Sequence, residues 1–246
     1  MRNIKMTIEY DGKRYQGWQR LGDSDKTIQG KIENIIHQMT GEKIEIIGSG
    51  RTDAGTHALG QVANFKTEST LSLQEMLDFF HQYLPQDIVV KQLEEMSDRF
   101  HARYNAKSKQ YSYYVWNENI PSAFYKNYSM YFPETLDIEK MKLACEKLKG
   151  THDFRGFSAL KKTKKSTTRT ISELTIETKG EMLHVIFVGD GFLYKMVRII
   201  MGTLLEIGTG KMTLEDIDRI FDTGIRSQAG DTVPAQGLFL DEVSYN

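Results

Sequence analysis

The sequence predicts an α+β protein built as two related lobes, each with a mainly antiparallel sheet and flanking helices. Two observations carry that reading. Stretches in which apolar residues alternate with polar ones, as in Ile4, Met6 and Ile8, are interspersed with stretches whose apolar residues recur at helical spacing. The order strand, helix, strand, strand, helix then occurs once in residues 1–103 and again in residues 104–246, a pattern of segregated α+β units rather than of a parallel α/β sheet.

The first half opens with a strand at Asn3–Tyr10, followed by a polar loop at Asp11–Asp25. Thr27 then suits an N-cap, and Ile28, Ile32, Ile35, Ile36 and Met39 share one side of a helix that Gly41 ends. Strands are expected at Lys43–Ile47 and Gly60–Lys66. Ser72, with Glu75 three residues on, forms a capping box for a helix to Tyr83, which stops before Pro85. A strand at Ile88–Glu94 completes the half. The second half gives a strand at Lys109–Trp116, a helix at Ile138–Leu148, and strands at Thr168–Thr178 and Leu183–Gly189. A helix at Phe192–Ile207, another from Thr213 to about Phe221, and a closing strand at Gly237–Tyr245 follow.

Composition narrows the function. Of 246 residues, 39% are hydrophobic and 26% charged, as in ordinary globular proteins. The longest apolar runs are far too short to span a bilayer, and the N-terminal residues lack a signal core, so a cytoplasmic location is expected. Cys145, the only cysteine, rules out an internal disulfide and a cysteine metal cluster; its helical neighbours Met141 and Leu148 make it a core residue. The histidines are scattered with no pair at i and i+4, so metal ligation has no support. A net charge of −1 means that any nucleic-acid site must come from local clustering. Residues 154–171 hold Arg155, Lys161, Lys162, Lys164, Lys165 and Arg169 without an acid, which suits phosphate contacts and equally a solvated loop. Residues 99–117 interleave cations with Phe100, Tyr104, Tyr111, Tyr113, Tyr114 and Trp116, a mixture that suits unstacked bases and also an aromatic core face of a strand.

The most informative stretch is Gly48–Phe65, a glycine-rich connection between two strands that carries Arg51, Asp53 and His57. A carboxylate beside a guanidinium stays ionised at neutral pH, which fits a nucleophile or base; an Asx-type turn with a surface partner gives the same short pattern. The longer string decides the matter. Gly50-Arg51-Thr52-Asp53-Ala54-Gly55-Thr56-His57-Ala58, followed by Gln61-Val62-Ala63-Asn64-Phe65, closely resembles the active-site motif of the tRNA pseudouridine synthase A family. Tyr10–Gln19, Thr27–Gly30, Phe100–Arg103, Tyr111–Tyr113, His152–Phe154, Phe192–Arg198 and Pro234–Leu238 resemble further family blocks in the expected order. Thr56 departs from the pattern where the family more often has Val, and Gln110 stands where a basic residue is expected.

That resemblance implies a pseudouridine-synthase fold with an active-site cleft between the lobes, a homodimer, and tRNA as substrate, without cofactor, metal or membrane. It implies isomerisation of uridine in the anticodon stem-loop, the family's targets being tRNA positions 38, 39 and 40, by flipping the base out of the RNA. Asp53 matches the catalytic aspartate; Arg51 assists flipping; Arg198 is the basic residue paired with the aspartate. Tyr111 packs on the flipped base, Leu238 lines the pocket, and His57 belongs to the same pocket as a structural group below Asp53 in rank. Arg14, Lys161, Lys162, Lys164, Lys165 and Arg169 are the expected RNA contacts. Two rivals stay open on the residues alone: an inert RNA-binding protein on the same lobes, and a small-molecule hydrolase using Asp53 and His57.

Overall fold

The computed structural model describes residues 1–22, 24, 26–161 and 164–245. The chain divides into two compact units, one of Met1–Lys107 together with the residues from Phe239 onward, the other of Ser108–Leu238.

In the first unit, β1 (Arg2–Tyr10) and a 3-10 turn at Gly12–Arg14 precede α1 (Ile28–Thr40), β2 (Ile47–Gly48), β3 (His57–Thr67), α2 (Leu73–Tyr83) and β4 (Ile88–Met96). β1 lies between β3 and β4, antiparallel to both, with Ile4 opposite Phe65 and Met6 opposite Leu93. The alternation expected from the sequence is realised, because Ile4, Met6 and Ile8 are fully buried while Lys5 and Thr7 are only half-buried. The Thr27 hydroxyl accepts the Gly30 N–H, Gly41 closes α1 in the left-handed conformation, and the Ser72–Glu75 capping box forms.

Two sequence expectations change here. The strand predicted over Lys43–Ile47 shrinks to Ile47–Gly48, because the Ile46 N–H donates to the Glu33 carboxylate (3.0 Å) instead of a neighbouring strand. The strand expected from Gly60 begins at His57, so the connection between strands spans only residues 49–56.

The second unit contains β5 (Ser108–Trp116), β6 (Met130–Tyr131), α3 (Ile138–Leu148), β7 (Gly150–Asp153), β8 (Thr168–Lys179), β9 (Met182–Gly189), α4 (Met196–Gly208) and α5 (Leu214–Thr223). β5, β9, β8 and β7 pair in that order, all antiparallel, with β6 parallel to β5. Cys145 is buried on α3, and burial pushes its thiol up to about 12. The helix expected from Phe192 starts at Met196: Lys195 takes a left-handed backbone (φ 60°), which a helix cannot propagate through.

β10 (Leu238–Ser244) pairs in parallel with β3, Phe239 opposite His57 and Leu240 opposite Ala58. The sequence reading placed this closing strand in the second half, whereas its pairing groups it with the first unit. Gly60 permits the approach, since a Cβ there would lie 2.3 Å from the Asp241 carbonyl oxygen. Among the described residues, no helix is long and apolar enough to cross a membrane.

Candidate active site

The segment 49–56 is irregular backbone, and its polar groups need partners from elsewhere. The stretch after β1 supplies them. Trp18 N–H donates to the Thr52 carbonyl (3.1 Å), Gly55 N–H to the Tyr15 carbonyl (3.3 Å), and within the loop Thr56 N–H donates to the Asp53 carbonyl (3.1 Å). Such contacts require backbone to meet backbone. A Cβ on Gly12 would lie 1.9 Å from the Thr56 carbonyl oxygen, one on Gly17 2.7 Å from the Thr52 carbonyl oxygen, and one on Gly48 2.7 Å from the Trp18 ring. The glycines of this region therefore let two loops interlock, and Gly17 (φ 98°) also needs the conformation that only glycine adopts easily.

Side chains complete the anchorage. The Tyr10 hydroxyl and the Thr52 hydroxyl are 2.8 Å apart and buried. Burial pushes the Tyr10 phenol up to about 12, against the opposing effect of hydrogen bonds with Thr52 and Gln61. From β3, Gln61 accepts the Ser49 hydroxyl (2.7 Å) and donates to the Gly50 carbonyl (3.1 Å). The sequence reading gave Tyr10, Thr52 and Gln61 no individual part. The signal that could have found them was polarity inside an apolar strand: Gln61 and Asn64 sit in a run otherwise made of buried apolar residues.

On this anchored loop Arg51 is exposed, Asp53 is half-buried, and His57 is 1% exposed at the first position of β3. The His57 ring is held by the Gly12 N–H donating to Nδ1 (3.1 Å), with Asp11 Oδ1 at 3.1 Å from the same nitrogen, and it stacks on Phe239 with centroids 4.6 Å apart. Enclosed in this way, the ring ties the start of β3 to the turn after β1. Thr56 is also buried, and its hydroxyl finds no hydrogen-bond partner among the described residues. A Val at this place, which the resemblance makes the commoner residue, would avoid that desolvation cost of about 1–3 kcal/mol. Arg14 is exposed and its guanidinium Nε meets Asp87 Oδ2 at 2.9 Å, while the Tyr15 hydroxyl donates to Asp87 Oδ1 at 2.7 Å.

The remaining candidates lie in the second unit. Tyr111, on β5, is 8% exposed and meets Phe192 edge to face at 5.2 Å. Arg198 is half-buried on α4; its Nε donates to the Val233 carbonyl (2.7 Å), so it is not a solvated helix-surface cation. The Tyr113 hydroxyl donates to the Pro234 carbonyl (2.8 Å), and Gly237 packs against Tyr113 and the Tyr114 carbonyl. Together these hold the Pro234–Leu238 string against β5 and α4, with Leu238 6% exposed. Lys161, Lys164 and Lys165 are exposed, and half-buried Arg169 donates to the Thr168 carbonyl (2.6 Å); Lys162 lies outside the described residues.

A family model described as tRNA pseudouridine synthase matches residues 6–105 and 144–246. The chain is 48% identical to tRNA pseudouridine synthase A of Bacillus sp. strain KSM-64 and 46% identical to tRNA pseudouridine synthase A 2 of Bacillus cereus strain ZK / E33L. It is 44% identical to tRNA pseudouridine synthase A of Acetivibrio thermocellus, and in all three comparisons 100% of both chains is covered. The likeness thus runs through the anchored Asp53 loop and on to β10, and the chain belongs to the tRNA pseudouridine synthase family.

Proposed function

We propose that this chain isomerises uridine to pseudouridine in the anticodon stem-loop of tRNA, with Asp53 as the catalytic group and no cofactor. The observation that carries the reading is Asp53 itself, half-buried on a loop fixed by backbone bonds inside the family motif. The reaction breaks the N1–C1′ bond, forms a C5–C1′ bond, and moves one proton from C5 to N1. Composition and oxidation level do not change, so no redox partner is called for. What the site must supply is a carboxylate in a pocket that retains the detached base. A stacked uridine must first be extruded, at a cost of a few kcal/mol, and Arg51 is assigned to that step. Tyr111 is assigned to packing on the flipped base, Leu238 and His57 to the pocket, and Arg198 to the cation that serves the aspartate. The test is to map pseudouridine in tRNA from a strain lacking this gene: the reading requires the modification to be missing, to return with the wild-type gene, and not to return with Asp53→Asn.

The substrate's phosphates are assigned to Arg14, Lys161, Lys162, Lys164, Lys165 and Arg169. Replacing Lys161, Lys164 and Lys165 by Ala is expected to weaken tRNA binding and to flatten the slope of log K against log salt by about 0.7–0.9 per lost contact. An unchanged slope in filter-binding titrations would leave them as a solvated loop. The working form is proposed to be a cytoplasmic homodimer. Besides the resemblance, exposed Ile120, Phe124, Tyr125 and Tyr128 of the second unit favour this, since charge-poor aromatic patches mark interface cores. Sedimentation equilibrium should return twice the 28.3 kDa chain mass, and a single-chain mass would remove the dimer.

A further inference from the structure

Two residues outside the roles assigned so far grip the loop on either side of Arg51. Gln61, wholly buried on β3, holds the loop's leading edge through the Ser49 hydroxyl (2.7 Å) and the Gly50 carbonyl (3.1 Å). Its Oε1 also accepts the Val62 N–H (3.1 Å), which fixes which end of the amide is oxygen. Tyr10, 3% exposed on β1, holds the Thr52 hydroxyl (2.8 Å) immediately before Asp53. Both come from neighbouring strands, Ile8 lying opposite Gln61 and Tyr10 opposite Ala58, with a shift of register between the two pairs. The loop is therefore referenced to two rigid strands at two points, and between and just beyond those points lie the guanidinium and the carboxylate.

We infer that Tyr10 and Gln61 are positioning residues of the reaction, fixing the path of residues 49–52 so that Arg51 and Asp53 project with a set separation and aim. The inference rests on the isomerase reading of Asp53. Both residues are buried, Gln61 wholly and Tyr10 with 3% exposed, so their effect on the reaction passes through the loop rather than through contact with the RNA. Buried polar networks of this kind specify one arrangement when every member is satisfied and loosen when one is removed. A misplacement of about 1 Å at a reacting group can lower a rate about 100-fold.

The experiment compares Tyr10→Phe, Thr52→Val, the double variant, Thr52→Ser and Gln61→Met in single-turnover pseudouridine formation, tRNA binding and thermal unfolding. Tyr10→Phe and Gln61→Met should each slow the single-turnover rate about 10- to 100-fold, with the dissociation constant for tRNA within about twofold of wild type. Because one bond is shared, the Tyr10→Phe/Thr52→Val double variant should be no slower than the worse single variant, and Thr52→Ser, which keeps the hydroxyl, should restore most of the rate. Amide exchange at residues 50–56 should accelerate in every slowed variant. A rate unchanged in both Tyr10→Phe and Gln61→Met, or a loss of rate matched by an equal loss of tRNA affinity, would overturn the inference. A wild-type protein that forms no pseudouridine would instead overturn the isomerase reading, and the exchange data would still decide whether the two residues hold the loop.

Discussion

Asp53→Ala is expected to lower pseudouridine formation by on the order of 10⁴-fold or more, the scale of removing a central catalytic group, while leaving tRNA affinity within a few-fold of wild type. The expectation follows from how the loop is held. Its anchors use the carbonyls of Thr52 and Asp53, the N–H groups of Gly55 and Thr56, and the side chains of Ser49 and Thr52, all of which Asp53→Ala retains. Truncating that side chain removes the proposed catalytic group and retains those anchors. Affinity for a polyanion comes mainly from cations neutralising phosphates, to which a carboxylate contributes nothing favourable. The measurement is a single-turnover assay beside a filter-binding titration. Parallel losses in rate and affinity would reassign Asp53 to RNA binding.

Gly12→Ala is expected to be among the most damaging substitutions of a residue without functional groups. Its Cβ would sit 1.9 Å from the Thr56 carbonyl oxygen and 2.6 Å from the carbonyl carbon, so two backbones must separate. Forcing atoms into packed structure costs about 1–3 kcal/mol, occasionally more, which for a chain of this size lowers Tm by about 2–4 °C per kcal/mol. The catalytic effect should exceed the stability effect, because the strand start displaced is the one that follows Asp53. A rate loss of about 100-fold in protein still folded at the assay temperature is expected. Thermal melts and single-turnover rates on the same preparation check this, and a variant with wild-type rate would show that the two loops can part without disturbing the carboxylate.

Elements whose signal is local were readable in the sequence. Thr27 and Gly41 bracket α1, Ser72 and Glu75 cap α2, and the alternation of Ile4, Met6 and Ile8 marks β1, because caps and periodicity are properties of a few adjacent residues. What escaped depends on partners distant in the chain. Lys43–Ile46 has strand-like composition, but Glu33 on α1 captures the Ile46 amide and so prevents pairing. The Phe192–Lys195 segment has helical apolar spacing, yet Lys195 adopts a left-handed backbone that periodicity does not reveal. At the site, the motif made Arg51, Asp53 and His57 legible as a group. Tyr10, Gln61 and the close approach at Gly12 were not, since each matters only through an atom on another strand or loop.

The return of β10 to the first unit bears on how the chain is made. Strand β3 follows the Asp53 loop directly, and the parallel pairing of its His57 and Ala58 with Phe239 and Leu240 waits until those two residues leave the ribosome. Chains emerge at about 5–20 residues per second, and N-terminal units ordinarily fold first. Here the second unit is synthesised in full while the first still exposes one strand's hydrogen-bonding groups, a template for pairing with another nascent chain. The stacking of Phe239 on His57 comes equally late. The Asp53 loop thus receives the support of β10 only after the second unit has been synthesised, which places the appearance of a competent site behind that of the second unit.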